Sequence, residues 1–224
     1  MSPGRPPRRL ALKRVALALR LLALAPAARA ADPVPLYKAG VEAKKAGDLA
    51  KAEARFRDCL AADPKFGRCH FSLGVLLKKK DQLADAERHF VNALEAHPDW
   101  GQARFSLGMT LLKLERHADA RAAFDKALDD PQLEADDRAE AWNAIGVMER
   151  KAERYKEAVA AYDKAIAARA RGSFFHHKGI ALMHLGDLAA AEAALRRAAE
   201  LEPADAEVKD LLARVVAMRK DAAR

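Results

Sequence analysis

A single spacing pattern constrains the fold of this chain more than any other feature of its sequence. Glycine, alanine and a large apolar residue recur together at intervals of 34, 34, 38 and 33 residues. The alanine always lies 12 residues, and the apolar residue 16 residues, after the glycine. Such a period is typical of a solenoid, in which stacked units bury their apolar faces against their neighbours. The five sets are Gly40, Ala52 and Phe56; Gly74, Ala86 and Phe90; Gly108, Ala120 and Phe124; Gly146, Ala158 and Tyr162; and Gly179, Ala191 and Leu195.

Each unit contains two apolar stripes at helical spacing, separated by a short polar turn. In the second unit, for example, Leu73 and Leu77 share one helix face with Gly74. The glycine and the alanine would let the two backbones approach closely, and a larger side chain there would overpack at a cost of roughly 1–3 kcal/mol. No segment alternates with period two over a useful length, so we predict an all-α fold without strands.

These residues resemble the repeat of the tetratricopeptide repeat family, which combines a tryptophan, a Leu-Gly pair, a small alanine, an aromatic residue and a closing proline. Trp142 supplies the tryptophan in the fourth unit, and Pro64, Pro98 and Pro203 close three of the units. The resemblance implies a right-handed superhelical solenoid of helix-turn-helix repeats. We place five repeats, together covering residues 33–205, at 33–66, 67–100, 101–138, 139–171 and 172–205.

The chain after the last repeat predicts a single helix at about residues 205–220, within a capping helix and tail over 206–224. The open face of a terminal repeat must be shielded from water, and an amphipathic helix does this. The expected inner stripe consists of Val208, Leu211, Leu212, Val215 and Val216.

The connection between the third and fourth repeats is four residues longer than the others and rich in acids. It lacks the glycine and the ligand spacing of a calcium loop. We therefore predict a solvated linker that caps a helix N-terminus. The acids are Asp129, Asp130, Glu134, Asp136 and Asp137.

Residues 1–30 have the composition of an export signal. They contain seven basic residues and no acid, an apolar middle at Val15–Leu24, and a small-x-small end at Ala28–Ala30. We predict a secretory signal peptide cleaved after Ala30, with Arg8 and Arg9 resembling a twin-arginine motif. The apolar middle is too short to span a bilayer as a helix. Periplasmic export is the expectation, and a mitochondrial transit peptide is the alternative.

Removal of this segment changes the charge balance. The whole chain has 40 basic and 32 acidic residues, a net charge of +8. Without residues 1–30 there are 33 basic and 32 acidic residues. Nucleic-acid binding, which needs clustered cations to neutralise phosphates, is therefore not expected. No later segment is apolar enough to predict a membrane span.

The cysteines and histidines are the candidates for covalent or metal chemistry. Cys59 and Cys69 lie five residues either side of Pro64, where a hairpin brings facing positions together. A disulfide and two buried thiols are both open, and export would permit the disulfide. His176, His177 and His184 lack carboxylates or cysteines at zinc-ligand spacing, so we expect no metal and interpret them as solvated or partner-contacting.

No catalytic set stands out from the sequence. The chain has neither a phosphate-binding G-x-x-x-x-G-K-[ST] motif nor an H-E-x-x-H motif, and its acids alternate with bases as on solvated helix faces. We therefore expect no enzyme activity and no cofactor.

One side of each first helix faces away from the predicted core when positions are rotated by about 100° per residue. In the tetratricopeptide repeat family this side lines a concave groove. The residues predicted to line it are Tyr37, Val41, Lys45, Phe71, Val75, Lys78, Lys79, Phe105, Met109, Lys113, Asn143, Val147, Lys151, His176, Ile180 and His184.

The predicted groove has an apolar floor beside a basic ridge. Val41, Val75, Met109, Val147 and Ile180 stand where the family commonly has asparagine, and contiguous exposed apolar surface marks binding sites. We predict a scaffold or assembly factor that binds a partner protein segment, apolar on one side and acidic on the other. A second copy of the chain or the N-terminal segment are alternative occupants. The alternative function is a non-catalytic accessory subunit of a cell-envelope enzyme complex.

Overall fold

The computed structural model describes residues 32–222 and Arg224, and the predicted signal peptide lies outside these residues. The described part of the chain contains eleven α-helices and no strand, which confirms the all-α prediction. The helices are α1 (Pro33–Lys45), α2 (Leu49–Ala62), α3 (Gly67–Lys79), α4 (Leu83–Ala96), α5 (Gly101–Lys113), α6 (His117–Leu128), α7 (Ala135–Lys151), α8 (Tyr155–Ala168), α9 (Gly172–His184), α10 (Leu188–Leu201) and α11 (Ala206–Ala222).

The helices belong to two compact units, with the division between Pro64 and Lys65. The first unit holds one helical hairpin, α1 and α2. Its core is Phe56, which is fully buried and fills the space beside Gly40. The second unit holds four further hairpins, α3–α4, α5–α6, α7–α8 and α9–α10, followed by α11.

Every hairpin of the second unit is closed by the glycine of its first helix. A Cβ atom added to Gly108 would lie 2.7 Å from Cε1 of Phe124, and one added to Gly146 would lie 2.5 Å from Cε1 of Tyr162. Neither distance is compatible with normal packing, so the ring of the second helix occupies the space that the glycine leaves. The recurring glycine and aromatic residue therefore fix where the two helices cross.

The hairpins of the second unit stack through a regular alternation of helices. The second helix of each hairpin contacts the first helix of the next: α4 with α5, α6 with α7, and α8 with α9. The first helices of successive hairpins also touch one another, α3 with α5, α5 with α7, and α7 with α9. The first helices consequently share one face of this unit.

The last helix closes the stack as predicted. Val208 and Val215 of α11 are fully buried. Leu211 and Leu212 lie in the cluster that contains Leu195 of α10. Helix α11 therefore covers the apolar face that α10 would otherwise expose to water.

Helix α7 differs from its sequence-based prediction. It begins at Ala135, whereas the fourth repeat was placed from residue 139. The insertion thus adds a turn to the helix instead of forming a loop. Asp136 and Asp137 stand in this first turn, where carboxylates interact favourably with the positive end of the helix dipole.

The acids of this connection were predicted to be solvated and to cap a helix N-terminus. Asp129 and Glu134 are exposed, whereas Asp130, Asp136 and Asp137 are half-buried. Asp130 Oδ2 accepts a hydrogen bond from the backbone N–H of Gly101 at 2.9 Å, which caps the start of α5. Asp136 Oδ1 pairs with Arg171 Nη2 at 2.9 Å and thereby joins α7 to the start of α9. The connection is held by these polar contacts.

The turn between α5 and α6 contains Glu115 at φ 60°, in the left-handed region. Gly47 and Gly186 occupy the corresponding turns of the first and last hairpins. This conformation costs a non-glycine residue about 1–2 kcal/mol. Glycine avoids that cost but loses more backbone entropy on folding.

We expect Glu115→Gly to raise the free energy of unfolding by about 0.5–1 kcal/mol, measured by urea denaturation. Glu115→Ala is the matched control, because it removes the same carboxylate and keeps the backbone cost. The interpretation fails if the glycine variant is no more stable than the alanine variant.

Candidate functional site: the shared face of the first helices

On each first helix of the second unit, the residue directly after the crossing glycine is apolar. Because the glycine faces the partner helix, the next residue is turned by about 100° towards the edge of the hairpin. All four side chains are half-buried, and they form what we call the apolar row: Val75, Met109, Val147 and Ile180. Val41 of the first unit is half-buried in the same way after Gly40.

The aromatic residues predicted to line the groove pack inwards. The ring of Phe71 lies 5.9 Å from that of Phe90, and the ring of Phe105 lies 6.1 Å from that of Phe124. Phe105 is only 9% exposed. In the first unit Tyr37 packs similarly at 6.2 Å from Phe56. These rings therefore pack against the core of their own hairpins.

Lysines at the last position of the first helices are exposed. We call Lys79, Lys113 and Lys151 the basic row, and Lys45 is exposed at the same position of the first unit. Lys113 Nζ lies 3.5 Å from Asp81 Oδ1 in the preceding hairpin turn. His184, at the fifth such position, stacks on the ring of Tyr155 at 4.5 Å.

Lys78 was also predicted to line the groove, and its charge is partly buried. Burial lowers the pKa of Lys78, the charge of Asp137 opposes this shift, and Lys113 and Lys79 reinforce it. Burial likewise raises the pKa of Asp137, which a hydrogen bond from Gln102 partly offsets. The extra turn of α7 therefore brings a carboxylate among the lysines.

Asp137 is the site residue that the sequence reasoning missed. The signal for it was present: acids immediately before a helical segment favour the first turn of a helix. The fourth repeat was placed by counting from its glycine, which sets its start at residue 139. The extra turn lies before that residue and was therefore assigned to the connection.

A partly buried polar pair lies at the C-terminal end of the face. His177 Nδ1 is 2.9 Å from Asn143 Oδ1 across α9 and α7. Burial lowers the pKa of His177 to about 4, with further contributions from His176 and Arg150. His176 is 8% exposed. These two histidines were predicted to be solvated or to contact a partner. His176 is buried and His177 is half-buried, so they are not solvated, and contact with a partner stays a prediction.

Acidification should destabilise the chain through His177. The folded-state pKa is about 4, against 6.5 for an ordinary imidazole. The unfolded chain therefore binds a proton between these values and the folded chain does not. The contribution of His177 to the free energy of unfolding is complete above pH 6.5 and falls as the pH drops towards 4. Below pH 4 it changes no further.

We expect this loss to be about 2 kcal/mol, less than the full shift would give because the ring is only partly buried. Urea denaturation at several pH values would measure it in the wild type and in His177→Gln, which can still bond Asn143. The variant should show a flatter pH profile, and parallel profiles would contradict the assignment.

A cleft of about 550 Å³ lies beside the start of α6 and the turn after α7. Two arginines in its wall pair with one buried carboxylate. Glu149 is buried and accepts hydrogen bonds from Arg121 and, at 2.5 Å, from Arg154 Nε. Arg121 and Arg154 are therefore paired, whereas Lys151 of the basic row also lines the cleft and is exposed.

Cys59 and Cys69 are both fully buried, each within its own unit. Their pairing in a disulfide stays a prediction.

The described residues contain no group of three or more His, Cys, Asp or Glu side chains arranged to hold a metal ion. None of the helices between Pro33 and Ala222 is long and apolar enough to cross a membrane.

Models of the tetratricopeptide repeat match the chain at residues 76–136, 132–173 and 173–205. The matches span more than half of its 224 residues. The chain belongs to the tetratricopeptide repeat family. Proteins of this family are generally non-catalytic scaffolds. The hairpin α1–α2 precedes the matched residues, so the count of five repeats stays a prediction. No curated protein is significantly similar to the chain in sequence.

Solved structures share the fold at low sequence identity. PilF of Pseudomonas aeruginosa superposes with a TM-score of 0.73 at 16% identity, over 87% of each chain. PilW, described as a type IV pilus biogenesis factor, gives 0.69 at 22% identity, over 83% of this chain and 86% of its own. YrrB, described as having an unusual peptide-binding site, gives 0.67 at 20% identity, over 84% and 92%.

Proposed function

We propose that this tetratricopeptide repeat protein is a non-catalytic scaffold that binds a segment of a partner protein along the shared face of its first helices. The observation that carries the proposal is the apolar row beside the basic row. The first helices of four successive hairpins each leave an apolar side chain half-buried at the same position. Such a row, bordered by exposed lysines, fits a segment with apolar residues on one side and acids on the other.

The contacts beneath the face favour a preformed site. Phe71 and Phe105 pack against the core rings of their own hairpins, and Met109 and Val147 of the apolar row pack against core clusters. A rigid apolar floor binds without losing much side-chain entropy. The description of YrrB as a peptide-binding member of the same fold is consistent with this use.

We propose that the chain acts after export, as an assembly factor in the cell envelope. The support is the arrangement of residues 1–30, with a basic start, an apolar middle and a small-x-small end. PilW, which shares the fold, is described as a pilus biogenesis factor. Sequencing the N-terminus of the protein from its native host should give Ala31, and an intact Met1 would contradict export by cleavage.

A non-catalytic accessory subunit of a cell-envelope enzyme complex is the second candidate. It would use the same face but remain bound to one enzyme. Co-purification from the native host distinguishes the two, because an accessory subunit co-elutes with an enzyme at fixed stoichiometry.

Selection of binding peptides tests the proposed face. Panning a library of random 12-residue peptides against the purified chain should enrich sequences that combine apolar residues with Asp or Glu. Their affinity should fall as salt rises, because exposed ion pairs are screened. Enrichment of basic peptides, or of none at all, would contradict the proposal.

A further inference from the structure

The cleft beside the start of α6 has a buried carboxylate in its wall at a position where the other hairpins of the second unit have leucine. Glu149 is buried and follows its crossing glycine by three residues. The corresponding residues of the other three hairpins are buried leucines: Leu77, Leu111 and Leu182. A buried ion pair is often no more stabilising than apolar side chains of similar volume. Core packing alone therefore does not account for a carboxylate at this position.

Glu149 holds two arginines at the wall of the cleft. Arg121 donates to one of its carboxylate oxygens through Nη1, and Arg154 donates to the other through Nε at 2.5 Å. Arg121 Nε also lies 3.0 Å from each carboxylate oxygen of Asp125. The two arginine side chains are nevertheless 40% and 57% exposed. Each guanidinium is thus held by carboxylates while part of its surface remains open to a ligand.

Lys151 adds a third cation to the cleft, and it differs from the residues at the same position of the neighbouring hairpins. Lys113 lies 3.5 Å from Asp81, and the ring of His184 stacks on the ring of Tyr155. Lys151 is exposed and makes no ion pair or ring contact with another side chain in residues 32–222. Its charge is therefore available to a ligand in the cleft.

The following pair of hairpins shows what fits this position. His117 and Tyr155 both begin a second helix nine residues after the crossing glycine, and Lys151 and His184 both end a first helix five residues after it. The rings of Tyr155 and His184 lie parallel to within 1° with their centroids 4.5 Å apart. His117 and Lys151 line the open cleft instead. The cleft thus lies where the following hairpins place an aromatic ring of their own chain.

We propose that the cleft binds an aromatic side chain of the partner segment, in the place that Tyr155 fills between the following hairpins. The inference rests on the proposed function. The apolar part of the wall consists of Ala118, Met148 and Ala152. Cations are attracted to the face of an aromatic ring, and a guanidinium also stacks on it. The volume of about 550 Å³ is within the usual range of ligand pockets.

The cleft adjoins the proposed binding face. Lys151 belongs to the basic row and follows Val147 of the apolar row by four residues, so the two side chains lie on the same side of α7. Besides Lys151, the charged residues that line the cleft are Arg121, Arg154 and Glu149, which gives three cations against one carboxylate. An acid next to the aromatic residue of the segment would face this excess of positive charge.

A small aromatic probe tests the cleft independently of peptide binding. We would label the methionine methyl groups of the purified chain with carbon-13, titrate it with N-acetylphenylalanine and follow the NMR signal of Met148. The ring current should shift this signal, and the shift should saturate with a dissociation constant on the order of 1 mM. N-acetylcyclohexylalanine is the matched control, because it is at least as apolar and lacks the aromatic face. It should bind at least about 3-fold more weakly.

Two variants separate binding from folding. His117→Tyr/Lys151→His copies the stacked pair of the following hairpins, and it should abolish the saturable shift of Met148 with an unchanged circular dichroism spectrum. Glu149→Leu copies the other hairpins and should leave the chain at least as stable to urea as the wild type. Because it releases the two arginines, it should remove the preference for N-acetylphenylalanine over the cyclohexyl control.

The peptides selected by panning provide the second arm. Replacing an aromatic residue of a selected peptide by leucine should weaken binding about 10-fold to the wild type and less than about 2-fold to His117→Tyr/Lys151→His.

The outcomes separate the two proposals. If selected peptides bind without any dependence on an aromatic residue, the aromatic cleft is wrong and the proposed function stands. If N-acetylphenylalanine binds saturably and no peptide does, the cleft stands and the proposed function is wrong. Equal binding of the two probes, or a Met148 signal that never saturates, would overturn the aromatic cleft.

Discussion

Phe124→Ala is expected to lower the free energy of unfolding by about 4 kcal/mol. The side chain is fully buried, and a Cβ atom at Gly108 would lie within 2.7 Å of its ring. It also packs 6.1 Å from the ring of Phe105 and belongs to the cluster that contains Ile145 of the next hairpin. Truncation leaves a cavity that the crossing of α5 and α6 cannot close, and such changes cost about 3–5 kcal/mol.

The measurement is urea denaturation followed by far-ultraviolet circular dichroism. Val91→Ala is the matched control, because Val91 lies on the second helix of a neighbouring hairpin and is 40% exposed. That substitution should cost less than about 1 kcal/mol. A loss at Phe124 no larger than at Val91 would show that the glycine and aromatic crossing does not hold the hairpin together.

The second large effect is on binding. The double substitution Val75→Asp/Met109→Asp is expected to weaken binding of the selected peptides about 100-fold. Each aspartate removes apolar contact area, and its charge repels the acids of the segment. Both side chains are half-buried at the edge of the hairpin, so we expect the fold to tolerate the change better than a substitution in the core.

Fluorescence anisotropy of a labelled selected peptide would measure the change. The matched control is Val91→Asp/Met218→Asp, which adds the same charge at two exposed apolar positions outside the first helices of the hairpins. The control should bind within about 2-fold of the wild type. If the Val75/Met109 variant bound the peptide as tightly as the wild type, the apolar row would not be part of the binding site.

The sequence predicted the hairpins well because their closure depends on a few residues with strict steric requirements. Gly146 admits no side chain against Tyr162, and Ala158 is fully buried, so the spacing between these residues reports the helix crossing directly. The cap was predictable for a similar reason, since Val208 and Val215 fall on the apolar stripe of an amphipathic helix.

The start of α7 was not predicted, because local and tertiary signals conflict there. Pro131 and the acids after it are typical of a loop, yet Asp136 is paired with Arg171, 35 residues further on. A contact over that separation depends on how two hairpins stack. The repeat spacing gives the order of the hairpins and not the side-chain contacts between them.

The candidate site likewise has a part that the sequence predicted and a part that it did not. The position of Val75, Met109, Val147 and Ile180 follows from helix geometry within one hairpin and was predictable. The contact of His177 with Asn143 depends on a distance between hairpins, which helical periodicity does not contain.

Site-specific photo-crosslinking in the native host tests the central claim most directly. A photoreactive amino acid would replace Met109 in the apolar row or, as the control, Val91 on the outer helix α4. The account predicts that Met109 becomes covalently linked to an apolar, acidic segment of a partner protein and that Val91 does not. Linkage at Val91 with none at Met109 would contradict the binding of partners along the first helices.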